Sequence, residues 1–342
     1  MRIGILTGGG DCPGLNPVIR AVVRRAMIAG HQVIGVKNGW KGMVENDTMS
    51  LTLESVSGIL LKGGTILGTS RTNPYKKEGD VEKVKENFKK MGLDALVAVG
   101  GEDTLGVASK LVKDGLSNIV GVPKTIDNDL SATDYTFGFD TAINIAMECI
   151  DRLRTTAESH HRIMVAEVMG RHAGWIALEA GIAGGADMIL IPEIPIDIEE
   201  VCDILKNKRE RGKLFSIVVV AEGAQFKETG MILQEKKLDA FGHVRLGGIG
   251  EELGQLIEKN TGYETRVSVL GHIQRGGSPT AFDRVLGTRL GVKAVELVLN
   301  KRFGKMVALQ GVKIVDVPLE EAVKALKTVD MELYDIAKVF FG

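Results

Sequence analysis

The segment GGEDTLG, residues 100–106, combines a phosphate-binding pattern with two acidic side chains. It follows the apolar run 93–99, and a glycine pair at the end of a strand leaves backbone amides available to an anion. Glu102 and Asp103 add negative charge where that anion would arrive. These carboxylates are therefore expected to decide which phosphoryl compound can bind.

A second polar group, PKTIDNDL, covers residues 123–130 and places Thr125, Asp127 and Asp129 just after the apolar run 119–122. A carboxylate in this position could accept a proton from a substrate hydroxyl or hold a metal ion. An Asx-rich turn that caps the next element explains the segment by itself equally well.

The glycine-rich loop GGGDCPGLN, residues 8–16, stands between a predicted strand and a predicted helix, where amides bind phosphate. Pro13 occupies the position of the third glycine of a dinucleotide fingerprint, and no Gly-Lys-Ser/Thr follows as in a Walker loop. A tight structural turn is an equal alternative for this loop.

Basic side chains recur beside other apolar runs, notably in VMGRHAG (168–174) and LGHIQRGG (270–277). A single Arg or His is usually solvated or structural, and no spacing around the histidine resembles a zinc site. Several cationic loops together favour phosphate binding. The residues concerned are Arg162, Arg171, Arg266, His272 and Arg275.

Short β-branched runs alternate with helical patterns, which indicates a doubly wound α/β protein whose ligands bind beyond the carboxyl ends of parallel strands. Asn16 is expected to cap the first helix, with Pro17 in its first turn. The predicted strands are Arg2–Leu6, Gln32–Val36, Ala95–Val99, Ile119–Val122, Ile163–Val168, Met188–Ile191 and Phe215–Val220. The predicted helices are 17–29, Thr104–Lys113, Thr141–Thr156, Ala173–Gly181, Ile198–Arg209 and 250–259.

The composition is that of an ordinary globular chain. Its 342 residues suggest two domains, and 44% hydrophobic with 25% charged residues argues against long disorder. A net charge of -1 gives no basic excess for nucleic acid, and neither a signal peptide nor a membrane span is recognisable. Three cysteines without CxxC spacing predict a reducing, cytoplasmic location. Residues 226–248 are expected to form a surface excursion or small hairpin without a catalytic role.

Eight motifs taken together resemble the 6-phosphofructokinase family over nearly the whole chain, in that family's order and spacing. They are LTGGGDCPGLN, LGTSR, GGEDT, PKTIDND, FGFDTA, RIMVAEVMGRHAGW, AEGA and TRVSVLGHIQRGGSPTAFDR. The resemblance implies two Rossmann-like domains with a reaction cleft between them, and phosphoryl transfer to the 1-hydroxyl of fructose 6-phosphate in glycolysis or gluconeogenesis. It assigns residues 1–138 and 250–302 to a donor-binding domain, and 139–249 and 303–342 to a fructose 6-phosphate-binding domain.

The resemblance also implies roles for the sugar side. Asp127 resembles the general base, with Thr125 and Asp129 as its supports. Arg171 and the amides of Met169 and Gly170 resemble the part of the site that holds the sugar and the transferring phosphate. The remaining implied sugar contacts are Glu222 on hydroxyls, His272 and Arg275 on the 6-phosphate, and Arg162 and Arg266 reaching that phosphate from a neighbouring subunit. These shared contacts imply a homo-oligomer, which would be a tetramer, as is usual in the family, or a dimer.

On the donor side, Gly10, Arg71 and Thr104 resemble donor contacts, and Glu102 stands at an acidic Mg²⁺ position where the family more often has Asp. ATP-using members place Gly where this chain has Asp103, whose carboxylate would overlap and repel the α-phosphate of a nucleotide. In the pyrophosphate-using branch, a lysine at the position of Lys124 contacts the donor. Asp103 and Lys124 together therefore predict pyrophosphate as the donor. The alternative for Asp103 is a cap for a helix starting at Thr104.

Other functions remain as alternatives to a pyrophosphate-dependent enzyme. The nearest is an ATP-dependent phosphofructokinase that tolerates Asp103, and a remoter one is an NAD-dependent oxidoreductase, which Pro13 disfavours. A non-catalytic sugar-phosphate sensor is disfavoured by Asp127, Asp129 and Arg171. Arg154, Arg211 and Lys213 match effector-binding positions in type only, so no strong effector response is expected.

Overall fold

The computed structural model describes residues 1–227 and 248–342 and divides into two compact units. Unit 1 comprises Met1–Ile126, Leu130–Thr141 and Arg275–Leu326. Unit 2 comprises Asp127–Asp129, Ala142–Gln274 and Lys327–Gly342.

The described residues alternate between strands and helices, as the sequence predicts. The strands are β1 Arg2–Thr7, β2 Gln32–Val36, β3 Thr48–Leu51, β4 Ala95–Gly100, β5 Ile119–Thr125, β6 Phe137–Gly138, β7 Ile163–Val168, β8 Met188–Leu190, β9 Ser216–Ala221, β10 Thr265–Val269, β11 Lys305–Gln310 and β12 Lys313–Pro318. The helices are α1 Leu15–Ile28, α2 Trp40–Glu45, α3 Asp80–Lys90, α4 Glu102–Lys113, α5 Phe139–His160, α6 Trp175–Ala183, α7 Ile198–Glu210, α8 Ile249–Thr261, α9 Ala281–Leu299 and α10 Met331–Lys338.

Unit 1 contains a sheet in the order β12-β11-β5-β4-β1-β2-β3, with β6 added beside the end of β5. Its central strands are parallel, whereas β3 and β12 pair antiparallel to their neighbours. Every residue of β4 and β5 is buried, which explains why both read as continuous apolar runs rather than alternating ones. Gly8–Gly10 and the start of α4 therefore follow the carboxyl ends of β1 and β4, and residues 124–125 form the carboxyl end of β5.

Unit 2 contains a parallel sheet in the order β10-β7-β9-β8. β7 and β9 are buried along their full length, and Val165, Val218 and Val220 lie in one apolar cluster with Leu253 of α8. The loops after β7 and β9 carry residues 169–171 and 222–223. The rigid pair of strands thus fixes where these loops begin.

The α/β fold with two parallel-rich sheets is confirmed, and the predicted strands and helices all form, two of them (β2 and β7) with the predicted ends and the others with shifted ends. The predicted cap of α1 is wrong, because Gly14 precedes the helix without a side-chain cap. Asn16 instead donates to the carbonyls of Lys62 and Gly63 at 3.0 and 3.2 Å and accepts from Ile66 N at 2.9 Å. An amide that bonds to a segment 50 residues away gives no local signal.

The boundaries of the units differ from the predicted domains 1–138 with 250–302 and 139–249 with 303–342. Residues 250–274 belong to unit 2, because β10 pairs with β7, and residues 303–326 belong to unit 1, because β11 pairs with β5. Most of the predicted excursion 226–248 lies outside the described residues. In the two described ranges, no helix is long and apolar enough to cross a membrane.

Candidate active site

The glycine loop after β1 is held in place by backbone contacts in unit 1. Gly8 N donates to Val99 O at 2.9 Å, and Gly9 N donates to Ser70 O at 3.3 Å. The Thr69 hydroxyl donates to Gly9 O at 2.5 Å. The loop is therefore fixed between the end of β4 and residues 69–70, and the predicted donor contact Arg71 is exposed beside it.

Lys124 places a buried cation at this loop. Its side chain is 4% exposed, and Nζ donates to Gly10 O at 2.6 Å. The position follows from β5, which is paired with β4 on one side and with β6 at its end. An ammonium group held in place beside backbone amides suits a small anion of high charge.

The guanidinium of Arg275 also lies against the glycine loop. Nη1 donates to Asp11 O at 3.2 Å, and a β-carbon at Gly10 would overlap the guanidinium. Only glycine fits at that position without displacing Arg275. Arg275 belongs to unit 1 and His272, which is exposed, to unit 2, so their predicted joint contact with the sugar 6-phosphate stays a prediction.

The acidic pair lies in the first turn of α4, where Glu102 is exposed and Asp103 half-buried. Gly101 is the N-cap residue, so the alternative that Asp103 caps a helix starting at Thr104 is wrong. Acids in a first turn stabilise the helix through its dipole, and they compete with any anion for the same amides. Thr104 is buried against the glycine loop, and its carbonyl accepts from Trp40 Nε1 at 3.2 Å.

A cavity of ≈ 700 Å³ in unit 1 opens beside this turn. Its lining includes acidic and basic side chains, namely Glu102, Asp103, Glu320, Glu321, Lys110, Lys113 and Lys324. The cavity is large enough for a small organic molecule, and the two acids of the first turn of α4 lie on its wall.

In unit 2, the loop after β7 brings Arg171 and Glu222 together. Arg171 has φ 52°, a left-handed backbone conformation that residues other than glycine rarely adopt. Its backbone N–H donates to Glu222 Oε1 at 3.2 Å. A β-carbon at Gly223 would overlap Arg171 O. The unusual backbone of Arg171 therefore depends on a carboxylate and on a glycine from the loop after β9.

Asp127 and Glu222 form a pair of nearby carboxylates in unit 2. Burial and the charge of Asp127 raise the pKa of Glu222, whereas hydrogen bonds from the backbone of Arg171 and Gly170 lower it. Asp127 is 5% exposed, and Asn128 beside it has φ 52°. A carboxylate beside a second carboxylate is a chemically suitable proton acceptor for a hydroxyl. The neighbouring Asp129 is half-buried.

Gln274 was not predicted, although it stands within the quoted motif LGHIQRGG. It is fully buried, and its Oε1 accepts from Met169 N at 2.9 Å. The N–H of Met169 is thus satisfied within the protein, and the N–H of Gly170 bonds to Glu222. The predicted contact of these two amides with a substrate stays a prediction.

Glu264, also unpredicted, joins the two arginines expected to reach a neighbouring subunit. Its carboxylate pairs with Arg162 Nε at 2.8 Å and with Arg266 Nη2 at 2.5 Å. Arg162 directly precedes β7, and β10 sets Arg266 opposite Met164. The parallel pairing brings both cations to one edge, and their hydrogen bond and charge lower the pKa of Glu264.

The structure thus groups the predicted residues into two sets. Unit 1 holds Gly10, Arg71, Glu102, Asp103, Thr104, Lys124, Thr125 and Arg275. Unit 2 holds Asp127, Asp129, Arg162, Met169, Gly170, Arg171, Glu222, Arg266 and His272. All the predicted donor residues are in unit 1, whereas the predicted sugar residues are in unit 2 except for Thr125 and Arg275.

Comparison with known proteins supports one family. A sequence profile described as phosphofructokinase matches residues 2–298. The pyrophosphate–fructose 6-phosphate 1-phosphotransferase of Amycolatopsis methanolica is 59% identical over 344 residues and covers 100% of both chains. The ATP-dependent 6-phosphofructokinase 3 of Streptomyces coelicolor is 53% identical over 330 residues, covering 96% of each chain. The solved phosphofructokinase of Saccharomyces cerevisiae matches with a TM-score of 0.81 at 32% identity, and the match covers 99% of this chain but 46% of that one.

Proposed function

Because the chain belongs to the phosphofructokinase family, we propose that it transfers a phosphoryl group from pyrophosphate to the 1-hydroxyl of fructose 6-phosphate. The products are fructose 1,6-bisphosphate and phosphate, and the reaction is reversible. The observation that carries the choice of donor is the buried ammonium of Lys124, 2.6 Å from Gly10 O in the glycine loop. A buried fixed cation stabilises the compact charge that a leaving phosphate develops.

Asp103 supports the same donor by exclusion. Its carboxylate lies in the first turn of α4, at the end of the helix that attracts phosphate, and it lines the adjoining cavity. If the remainder of a nucleotide entered this cavity, its α-phosphate would be repelled by the negative charge of Asp103 and would overlap its side chain. Pyrophosphate is short enough to end before that point.

In the proposed reaction, Asp127 accepts the proton of the sugar hydroxyl, whose oxygen attacks one phosphorus of pyrophosphate. A bond forms between that oxygen and phosphorus as the bridging P–O bond breaks, and phosphate leaves. Thr125 and Asp129 support the base, while Glu222 binds sugar hydroxyls and Arg171 steadies the transferring group. Lys124 and Asp127 are three residues apart, so their α-carbons are within roughly 11 Å, and donor and base are linked by a very short piece of chain.

The cationic residues complete the proposal for the sugar. His272 and Arg275 bind the 6-phosphate, and Arg162 and Arg266 reach the same group in a neighbouring subunit of a homo-oligomer. Supporting this, the two arginines already share one anionic partner, Glu264. A phosphate could replace that carboxylate because it offers more acceptor oxygens to both guanidinium groups. A cytoplasmic location is part of the proposal.

Mg²⁺ also belongs to the proposal. Across residues 1–227 and 248–342, no three His, Cys, Asp or Glu side chains form a metal cluster. The ion usually takes one or two carboxylates together with substrate phosphates, and the exposed Glu102 offers such a carboxylate beside the donor loop. The residues therefore fit a metal shared with pyrophosphate, which would neutralise charge on the donor phosphates.

A donor comparison at fixed Mg²⁺ and fructose 6-phosphate tests the proposal. We expect the unaltered protein to turn over with pyrophosphate and at least about 100-fold less with ATP. Asp103→Gly with Lys124→Gly should gain ATP use, and Asp103→Asn, which keeps the size of the side chain, separates charge from volume. Ready turnover with ATP and none with pyrophosphate would contradict the proposed donor.

The second candidate is ATP-dependent phosphofructokinase activity, which the 53% identity with the Streptomyces coelicolor enzyme favours. If the double variant gained neither ATP turnover nor ATP binding, exclusion by Asp103 would be wrong even with pyrophosphate as the donor. Family membership removes the reason for an NAD-dependent oxidoreductase or a non-catalytic sensor.

A further inference from the structure

Asp283, in the first turn of α9, is a buried carboxylate that the proposed reaction does not use. Its side chain is 0% exposed. Oδ1 accepts from Gly138 N at 2.9 Å, while Oδ2 accepts from Thr141 N at 2.8 Å and from the Thr141 hydroxyl at 2.5 Å. Three donors converge on one carboxylate, so its position and theirs are fixed together.

These donors belong to the corner where β6 becomes α5. Gly138 ends β6, and Thr141 lies in the first turn of α5. β6 pairs in parallel with the end of β5, where Phe137 is opposite Lys124 and Gly138 opposite Thr125. The Thr136 hydroxyl adds a hydrogen bond to Thr125 O at 2.7 Å. Asp283 is therefore connected through β6 to the strand end that carries Lys124.

The opposite side of β6 meets the loop that binds the donor. Cys12 Sγ lies 3.8 Å from Phe137 O, and a β-carbon at Gly138 would be 2.6 Å from Cys12 Sγ. A β-carbon at Gly14 would likewise be 2.5 Å from the Phe137 ring. β6 is thus packed between Asp283 and the glycine loop, and a shift of β6 would move both of its neighbours.

The carboxyl group of Asp283 lies in a buried position that disfavours a negative charge. Burial and, to a smaller extent, the charge of Asp140 on α5 raise the pKa of Asp283, and the hydrogen bonds from Thr141 and Gly138 lower it, with a net pKa of about 6. The neighbouring group on the glycine loop is the Cys12 thiol. Burial raises its pKa to about 12, although the charges of Lys124 and Arg275 oppose this rise. Three donors point at Asp283, an arrangement that suits the ionised carboxylate, and such charge-assisted bonds hold the corner more firmly than bonds to an amide would.

We propose that Asp283 is a positioning residue for phosphoryl transfer: through Gly138, Thr141 and β6 it holds Lys124 where its ammonium meets the donor. The inference rests on the proposed function, because it assigns a purpose to the geometry of Lys124. Asp283 touches no substrate. Its effect should pass through Lys124 rather than through the stability of unit 1 as a whole.

A double-mutant cycle tests this route. Asp283→Asn should lower kcat/KM for pyrophosphate by roughly 10- to 100-fold per folded molecule, since misplacement of about 1 Å has effects of that size. In a Lys124→Met background, the same change should lower the remaining activity by less than about threefold. A route that bypasses Lys124 predicts the same factor in both backgrounds, and a role in stability alone predicts no change in kcat/KM per folded molecule.

Two further sets of variants keep the test decisive. Asn87→Ala removes buried hydrogen bonds to the carbonyls of Met43 and Val44 in the same unit, so it should lower the melting temperature and leave the kinetics within about twofold. If Asp283→Asn does not fold, Thr141→Val and Thr141→Ser replace it in the cycle. Thr141→Ser keeps the hydroxyl donor and should restore most of the activity that Thr141→Val loses.

Equal factors for Asp283→Asn with and without Lys124 would overturn the proposal, and so would kinetics like those of Asn87→Ala. Equal activities of the Val and Ser variants at position 141 would also count against it. If the unaltered protein did not use pyrophosphate, the proposed function would fail, while the same cycle run with the donor that it does use would still decide the role of Asp283.

Discussion

The residues of unit 1 that we propose to bind the donor and the residues of unit 2 that we propose to bind the sugar differ in the charge at their centre. In unit 1 the central charge is a cation, Lys124, which is buried and held against a backbone carbonyl of the glycine loop. In unit 2 the central charges are carboxylates, Asp127 and Glu222, whose mutual repulsion contributes to a raised pKa of Glu222. One set is arranged for an anion and the other for a hydroxyl that must lose a proton.

The two sets also differ in what keeps them in shape. Gly10 makes room for a guanidinium beside the donor loop, whereas Gly223 makes room for the backbone of Arg171 in a left-handed conformation. Both sets of residues thus require a glycine, but each glycine makes room for a different neighbour. Changes at the glycine loop and at Lys124 of unit 1 should therefore appear in the kinetics of the donor, and changes in unit 2 in the kinetics of the sugar.

Asp127→Asn should have the largest effect, because it removes the proton acceptor on which the chemistry of unit 2 depends. We expect kcat to fall by roughly 10²- to 10⁴-fold, with the KM for both substrates changed little. Steady-state kinetics in both directions measure this, and Asp129→Asn is the matched control with a smaller loss. A variant at position 127 that retained more than about a tenth of the activity would remove Asp127 as the base.

A crossed pair of glycine variants should have an intermediate effect and tests the comparison most directly. Gly223→Ala forces the Arg171 backbone to move, so the KM for fructose 6-phosphate should rise by roughly 10-fold, with the KM for pyrophosphate within twofold. Gly10→Ala crowds the glycine loop and displaces Arg275, so it should raise the KM for pyrophosphate and, because Arg275 is proposed to bind the 6-phosphate, also the KM for fructose 6-phosphate. An unchanged KM for pyrophosphate in Gly10→Ala, or a changed one in Gly223→Ala, would contradict the assignment of the glycine loop to the donor.

The smallest expected effect concerns stability and pH. The pKa of Asp283 is raised from 3.8 to about 6, so between these values the folded protein holds a proton that the unfolded chain has released. The stabilisation from that proton is greatest below pH 4 and disappears as the pH rises through 6. Relative to Asp283→Asn, the wild type should therefore lose roughly 2 kcal/mol of unfolding free energy between pH 4.5 and 7.5.

Urea denaturation of both proteins at the two pH values measures this difference, and subtraction cancels the many carboxylates that they share. A gap between the two proteins that did not change with pH would show that the pKa of Asp283 is not raised in the fold. The kinetic role proposed for Asp283 would have to stand on geometry alone.

The parts of the site that the sequence predicts are those with a local signature. Continuous apolar runs mark the buried parallel strands in the sequence, so the residues that come after each run can be assigned to the end of a strand. The glycine loops after β1 and β4 and the polar run 123–130 are in such positions. The wrong predictions are also local ones. Both assigned a cap by its residue type, at Asn16 and Asp103, whereas glycines occupy the N-cap positions of α1 and α4.

By itself, the sequence determines the alternation of strands and helices, the loops that carry the chemistry and the acidic and basic residues in them. Only the tertiary structure decides which of these residues meet: Arg275 with the glycine loop 264 residues away, Asp283 with Thr141, and Glu264 with two arginines. The physical reason is that periodicity and residue type act over one turn or one strand, while strand pairing brings distant segments together. Burial then decides which charges can remain there, and at what pKa.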